Sequence, residues 1–231
     1  MTALIEVRQL HYTYPDGTPA LNGIDFDVYP GETVALLGAN GSGKTTFVLC
    51  LAGLLRASAG SIRISGTPLT KQTERELRGK LGLVFQDADD QLFLPTVIED
   101  VMFGPLNQGV ARVDAEKMAR AKLRQTGITA SYDRPPYHLS AGEKRRVAIA
   151  GVLAMNPEVL VLDEPTTFLD PPGQRDLLSI LRSLPQAKIL VTHDVHFAEA
   201  LGARAVFFEE GRVAGQGAVG EIIRQFTWNL V

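Results

Sequence analysis

Apolar and polar positions along the 231-residue chain follow two different periods. Short apolar runs, "TVALLG" (33–38), "LGLVFQ" (81–86), "VLVLDE" (159–164) and "KILVTH" (188–193), read as buried strands. Each ends in a glycine or polar residue, where the carboxyl edge of a sheet would lie. Because helical patterns separate them, they predict an α/β fold with a largely parallel sheet, whose carboxyl edge is the usual place for a ligand. "IDFDVYPGE" (24–32) instead alternates Ile24, Phe26 and Val28 with Asp25 and Asp27 before turning at Pro30-Gly31. That is the pattern of a half-exposed strand and predicts an N-terminal antiparallel β-subdomain. From about 89 to 157 the strand signals stop. Thr96 with Glu99 forms a capping-box pattern, Asp114 is expected to open a helix ending before Gly127, and Ser140 with Glu143 to open another. The chain therefore reads as one domain, with an α/β core over about 1–88 and 158–231 and a helical subdomain over about 89–157 inserted in it. "VFFEEGRVAGQGAVGEIIRQF" (206–226) predicts a strand pair turning at Gly211 and a short helix; no appended regulatory domain is expected beyond that helix.

Composition narrows the partners. Hydrophobic residues make up 45% and charged residues 21%, as in ordinary globular proteins. The net charge of -3 provides no general basic footprint, so no nucleic acid partner is expected. The longest apolar stretches, 47–55 and 147–155, fall far short of the roughly 20 residues of a membrane-spanning helix. Work at a membrane would need a partner. A lone cysteine, Cys50, suits a reducing compartment, and the N-terminus carries no signal-peptide pattern.

Chemistry enters with "GANGSGKT", Gly38 to Thr45, which matches G-x-x-x-x-G-K-[ST] between a strand and a helical pattern. This is the fingerprint of a P-loop NTPase core. Glycines let backbone N–H groups face phosphate oxygens, and the following helix adds its positive end. Lys44 would supply charge to the β- and γ-phosphates, and Thr45 a hydroxyl to Mg2+. A second strand ends in Asp163-Glu164, suited to holding magnesium and polarising a water. Gln86 and His193 fall at the ends of two further strands, where a carbonyl can coordinate magnesium and an imidazole can donate to phosphate. His193 and His196 also invite a metal reading, but no third ligand stands near them in sequence.

With "HLSAGEKRRV" (138–147) added, nearly the whole chain resembles the ATP-binding-cassette ATPases in motif identity and order. The resemblance implies that Tyr14, which precedes the turn "PDG", stacks on the adenine of ATP, in preference to Tyr12. It places Gly38, Asn40, Gly41, Ser42, Gly43, Lys44, Thr45 and Thr46 on the phosphates. Gln86 becomes the Q-loop residue and, with Thr45 and Asp163, a magnesium ligand; Glu164 becomes the catalytic base and His193 the switch histidine. "LSAGE" is similar to the family signature, which closes over the γ-phosphate held by a second subunit, so Ser140 and Gly142 would act in trans and two chains would be needed. Ala141 replaces a glycine of the signature, and a positive φ there would cost roughly 1 kcal/mol or more. Phe168 replaces a small residue at the expected dimer interface.

"VFQDADDQLFLPTVIEDVMFGPLNQG" (84–109) resembles the ATPases of energy-coupling-factor importers, particularly the cobalt and nickel type. That likeness implies a peripheral ATPase on the cytoplasmic face of the cell membrane, partnered by integral membrane subunits and by an identical or paralogous ATPase. Asp87, Asp89 and Asp90 are candidates to pair with basic residues of a membrane subunit; as a bare cluster they are also a solvated turn. An ATPase of another importer is the alternative within transport. A DNA-repair cassette would need a coiled-coil or DNA-binding insertion, for which the chain has neither room nor heptads.

Overall fold

The computed structural model describes residues 2–228. The chain opens with an antiparallel pair, β1 (Ile5–Thr13) and β2 (Pro19–Val28), followed by β3 (Thr33–Leu37), α1 (Lys44–Leu51), β4 (Ala59–Ile64) and β5 (Thr67–Pro68). Strands β2-β1-β4-β5 form one antiparallel sheet. The alternation read in β2 is obeyed: Ile24, Phe26 and Val28 are buried, whereas Asp25 is exposed and Asp27 reaches Arg8 at 2.7 Å.

The rest of the chain runs through α2 (Glu74–Arg78), β6 (Leu81–Val84), α3 (Val97–Asn107), α4 (Arg112–Gln125), α5 (Ala141–Ala154), β7 (Val159–Asp163) and α6 (Pro171–Ser183). It then continues with β8 (Ala187–Val191), α7 (Val195–Ala200), β9 (Arg204–Glu209), β10 (Arg212–Ala218) and α8 (Val219–Gln225). The second sheet has the order β10-β9-β3-β8-β7-β6, parallel except for β10. The expected α/β class, with its separate antiparallel sheet, is thus present, as is the C-terminal strand pair turning at Gly211.

Three apolar clusters hold the layers. One lies between the two sheets around α1, where Phe47 meets Phe26 and Phe208 at ring distances of 5.0 and 5.3 Å. Truncating such a buried ring to alanine costs about 3–5 kcal/mol, so the helix that follows the Gly38–Gly43 loop is firmly seated. A second cluster covers the opposite face of the parallel sheet, and a third is built from α3, α4 and α5. Helix α5 serves both: Ile149, Val152 and Leu153 enter the second cluster, while Val147, Ala150 and Ala154 enter the third. Burial on two sides explains why it is apolar all round from Val147 onward.

The structure corrects two expectations. Helix α4 begins at Arg112 with Ala111 at its N-cap, and Asp114 sits in the first turn, 3.1 Å from Lys117. An acidic side chain there opposes the positive helix end without capping it. The strands also stop earlier than the apolar runs suggest, β6 at Val84 and β8 at Val191, so Gln86 and His193 each lie two residues beyond a strand. Beyond Val84 the carbonyls of Phe85 and Gln86 accept hydrogen bonds from Arg145, not from a neighbouring strand.

Candidate active site

The loop after β3 is built around glycines that no other residue could replace. At Gly38 (φ 135°) a Cβ would lie 2.2 Å from the Phe208 carbonyl oxygen, and at Gly43 (φ 106°), the N-cap of α1, 2.7 Å from that of Ala20. The backbone is thereby folded tightly against its neighbours, with the N–H groups at the start of α1 free for an anion. Ser42 and Lys44 are each only 6% exposed. The Lys44 ammonium donates to Gly38 O at 2.6 Å, Ala39 O at 2.9 Å and Ser42 Oγ at 3.4 Å. Burial lowers its pKa, while Glu164 and Asp163 act in the opposite direction.

Tyr14 and Tyr12 lie in different surroundings. Tyr12 is buried in the first cluster, whereas Tyr14 is partly exposed, borders the cleft and shares a 2.8 Å hydrogen bond with the Thr46 hydroxyl. The cleft has a volume of about 780 Å³. Asn40, Gly41, Gly43, Lys44, Thr45 and Thr46 line it from the loop side, and Gln86, Asp163, Glu164 and His193 from the carboxyl ends of β6, β7 and β8.

Burial, followed by the neighbouring Glu164, pushes the Asp163 carboxyl above its ordinary range, and Lys44 and Arg145 partly offset this. Glu164 has φ 41°, a left-handed backbone that costs an ordinary residue roughly 1–2 kcal/mol. It is held there by its N–H to Val191 O at 2.8 Å and by its carbonyl, which accepts from Thr167 N–H at 3.1 Å. Its carboxylate accepts from the Thr192 hydroxyl and the His193 N–H, both at 3.3 Å, and its Oε1 lies 3.3 Å from His193 Nε2. Among the described residues there is no group of three or more His, Cys, Asp or Glu side chains placed to hold a metal.

Ser140 and Gly142 do not border this cleft. Ser140 is the N-cap of α5 and Gly142 lies in its first turn; Ser140 N–H and Oγ donate to Glu143 Oε2 at 2.9 and 2.8 Å, and Ser140 Oγ accepts from Glu143 N–H at 3.3 Å. The capping box is complete. Ala141 has no positive φ, being the first residue of the helix, so the strain expected there is absent. Phe168 does have one, at 66°, and is 73% exposed.

Sequence reasoning missed Arg145. Only 2% exposed, it donates from α5 to the carbonyls of Phe85 and Gln86 and so fastens the loop that bears Gln86. The available signal was helical spacing, since Arg145 precedes buried Ala148 and Ile149 by three and four positions. The acidic cluster is also partly committed within the chain: Asp89 grips Lys144 at 2.6 and 2.9 Å, and Asp87 accepts from Asp89 N–H. Asp90 faces a groove of about 840 Å³ lined by Phe85, Phe93 and Phe103, between the segment after β6 and helices α3 and α5. Phe93 is 62% exposed, and the buried Asp100 shapes the loop carrying it by accepting from the N–H groups of Phe93 and Leu94.

Residues 21–167 match the ABC transporter family. The chain is 44% identical to the energy-coupling factor transporter ATP-binding protein EcfA of Methanocaldococcus jannaschii, over 95% of this chain and 80% of that protein. Among solved structures it superposes on cbiO1 of Clostridium perfringens, part of the ABC transporter complex cbiONQ, with a TM-score of 0.86 and 38% identity, covering 100% of this chain and 96% of the other. It is also similar to a dimeric ATP-binding cassette in a post-hydrolysis state bound to ADP and Pi, with a TM-score of 0.81 and 27% identity over 93% of this chain and 98% of the other.

Proposed function

The chain belongs to the ABC transporter family as one of its ATP-hydrolysing subunits, and on that basis we propose that it powers an energy-coupling-factor importer for cobalt or nickel ions from the cytoplasmic face of the cell membrane. The observation that carries the catalytic reading is the convergence of Lys44, Gln86, Asp163, Glu164 and His193 on one cleft at the carboxyl edge of the parallel sheet. Tyr14 offers its ring to the adenine, and the loop from Gly38 to Thr46 wraps the phosphates. Thr45, Gln86 and Asp163 bring oxygen donors to the same cleft, a set that fits magnesium, which takes few protein oxygens when phosphate supplies the others. When bound, the ion neutralises charge on the β- and γ-phosphate oxygens.

In the proposed reaction the oxygen of a water attacks the γ-phosphorus while the bond to the β–γ bridging oxygen breaks. Glu164 accepts the water's proton, and His193 steadies the γ-phosphate. Ser140 and Gly142, which do not border their own cleft, complete the site of a second copy or of a paralogue, and two ATP molecules close the pair. The helical unit over about 89–157 then moves relative to the core, and the groove beside Phe93 receives a short helix of an integral membrane subunit. The resemblance of 84–109 to cobalt and nickel importers supports the choice of cargo, and the structural likeness to cbiO1, part of the ABC transporter complex cbiONQ, supports work within a multi-subunit transporter.

E164Q tests the catalytic assignment. Turnover is expected to fall about 100- to 10,000-fold with ATP binding retained; near-normal hydrolysis would remove Glu164 from its role. For the cargo, the complex purified with its membrane subunits should take up radiolabelled cobalt or nickel into vesicles in an ATP-dependent manner. ATP-dependent uptake of neither metal would overturn that part.

A further inference from the structure

The imidazole of His193 is constrained by two neighbours, and only one belongs to the cleft. At its edge Nε2 lies 3.3 Å from Glu164 Oε1. Across its face lies the indole of Trp228, with ring centroids 6.1 Å apart and planes inclined by 20°. The His193 side chain is otherwise 46% exposed, and the hydrogen bond from its main-chain N–H to Glu164 fixes the backbone without fixing the ring. The terminal torsion of histidine is broad, so an exposed imidazole needs a neighbour to define its plane.

Trp228 is itself anchored. Its main-chain N–H donates to Ile223 O at 2.9 Å, and its ring meets Phe207 edge-on at 5.4 Å. Phe207, in β9, is stacked on Phe226 at 4.1 Å with an interplanar angle of 8°. Gly215 in β10 makes room for that stack, since a Cβ there would come within 2.8 Å of the Phe226 ring. An aromatic column therefore runs from Phe226 through Phe207 and Trp228 to His193, across the parallel sheet from its edge to the cleft. The indole N–H is buried and has no acceptor among the described residues. Buried tryptophans usually find one, so this orientation serves the faces of the ring and not its donor.

We propose that Trp228 is a positioning residue for His193, holding the imidazole plane so that Nε2 stays directed at Glu164 and the cleft. The role rests on the reading of His193 as a γ-phosphate contact; the ring contact does not. A stacked aromatic pair favours its paired geometry by about two- to tenfold over an unpaired one. The expected effect lies in kcat, because His193 acts on the γ-phosphate while the adenine and the α- and β-phosphates are held elsewhere.

The test uses the full chain, labelled with 13C-histidine, together with steady-state ATPase assays on the assembled complex. Four histidines are present, and H193Q identifies the His193 ring signals by their loss. Those signals should be shifted upfield by the indole ring current and should move towards the other three in W228L. W228L should lower kcat about two- to tenfold with the KM for ATP unchanged, and W228F, which restores a stacking face, should recover most of the loss. If W228L does not fold, W228M fills the same space without an aromatic face. A purely structural role would lower the unfolding midpoint while kcat per ATP-binding site stayed constant, and that result overturns the proposal. Absence of the upfield shift overturns the contact itself. Should H193Q hydrolyse normally, the positioning role falls as well; the upfield shift in the wild type would then locate the failure in the reading of His193.

Discussion

Phe168 combines two costs in one residue. Its backbone is left-handed at φ 66° and its ring is 73% exposed. A side chain in that region carries a penalty of about 1–2 kcal/mol, and little burial offsets it within the chain. F168G should therefore raise the unfolding free energy of the isolated chain by about 1 kcal/mol, measured by urea titration; a decrease would show that the ring packs on its own chain more than its exposure indicates. Nothing in "TTFLD" announces the strain, because glycine and asparagine, the residues that usually mark a positive φ, are absent. Glu164 is similar. Its place at the end of an apolar strand was legible, but its left-handed turn depends on hydrogen bonds to Val191 and Thr167, one of them on another strand. The Gly38–Thr45 loop could be read because its residue types recur at a fixed spacing, although Gly38 and Gly43 make room for the distant Phe208 and Ala20 carbonyls; the Tyr14–Thr46 bond, between residues 32 positions apart, follows no such spacing.

Among the elements, α5 carries the greatest range of tasks. Its start was legible because Ser140 and Glu143 satisfy two N–H groups at the helix start, their own, by a reciprocal pair of bonds. The Ser140 backbone N–H, then its hydroxyl, holds the Glu143 carboxyl below its usual range. A lowered carboxylate pKa stabilises the fold above the unfolded value, about 4.3, and that contribution is lost as pH falls through the folded value. E143Q keeps a capping acceptor but loses the charge, so it should be less stable than the wild type near neutral pH by about 0.5 kcal/mol. The difference should close as the pH falls, in a series of urea unfolding curves; a constant gap would assign it to packing. Other elements were less legible. In β1, Gln9 has φ 45° and the pairing register slips between Val7 and Leu10, so the period of two that reveals a strand is broken midway. Strand β4, "AGSIRI", has exposed residues at its first three positions and shows an apolar alternation only at its end.

At the scale of the whole molecule, the layers can be probed through one atom. Cys50 lies in α1 between the two sheets, 1% exposed, and burial pushes its thiol pKa up to about 11. At pH 8 it is a buried, neutral thiol, so a chromogenic disulfide reagent should react at least about 1,000-fold more slowly than with the unfolded chain. ATP at 100 times its Kd should slow the reaction about a further 100-fold if labelling requires opening of the nucleotide site. Rapid labelling of the native chain would reveal local opening around α1. The two ends of the molecule are joined differently, through Arg145. Its planar guanidinium is attached at two points, to the peptide carbonyls before and after the Gln86 Cα, and its stem rises from the helix that walls the Phe93 groove. Arginine keeps its charge at every ordinary pH, so no proton transfer can release the joint, and attachment at two points denies it a pivot. In machine terms, groove and cleft share a two-pin joint, through which a displacement of α5 is expected to pull on Gln86.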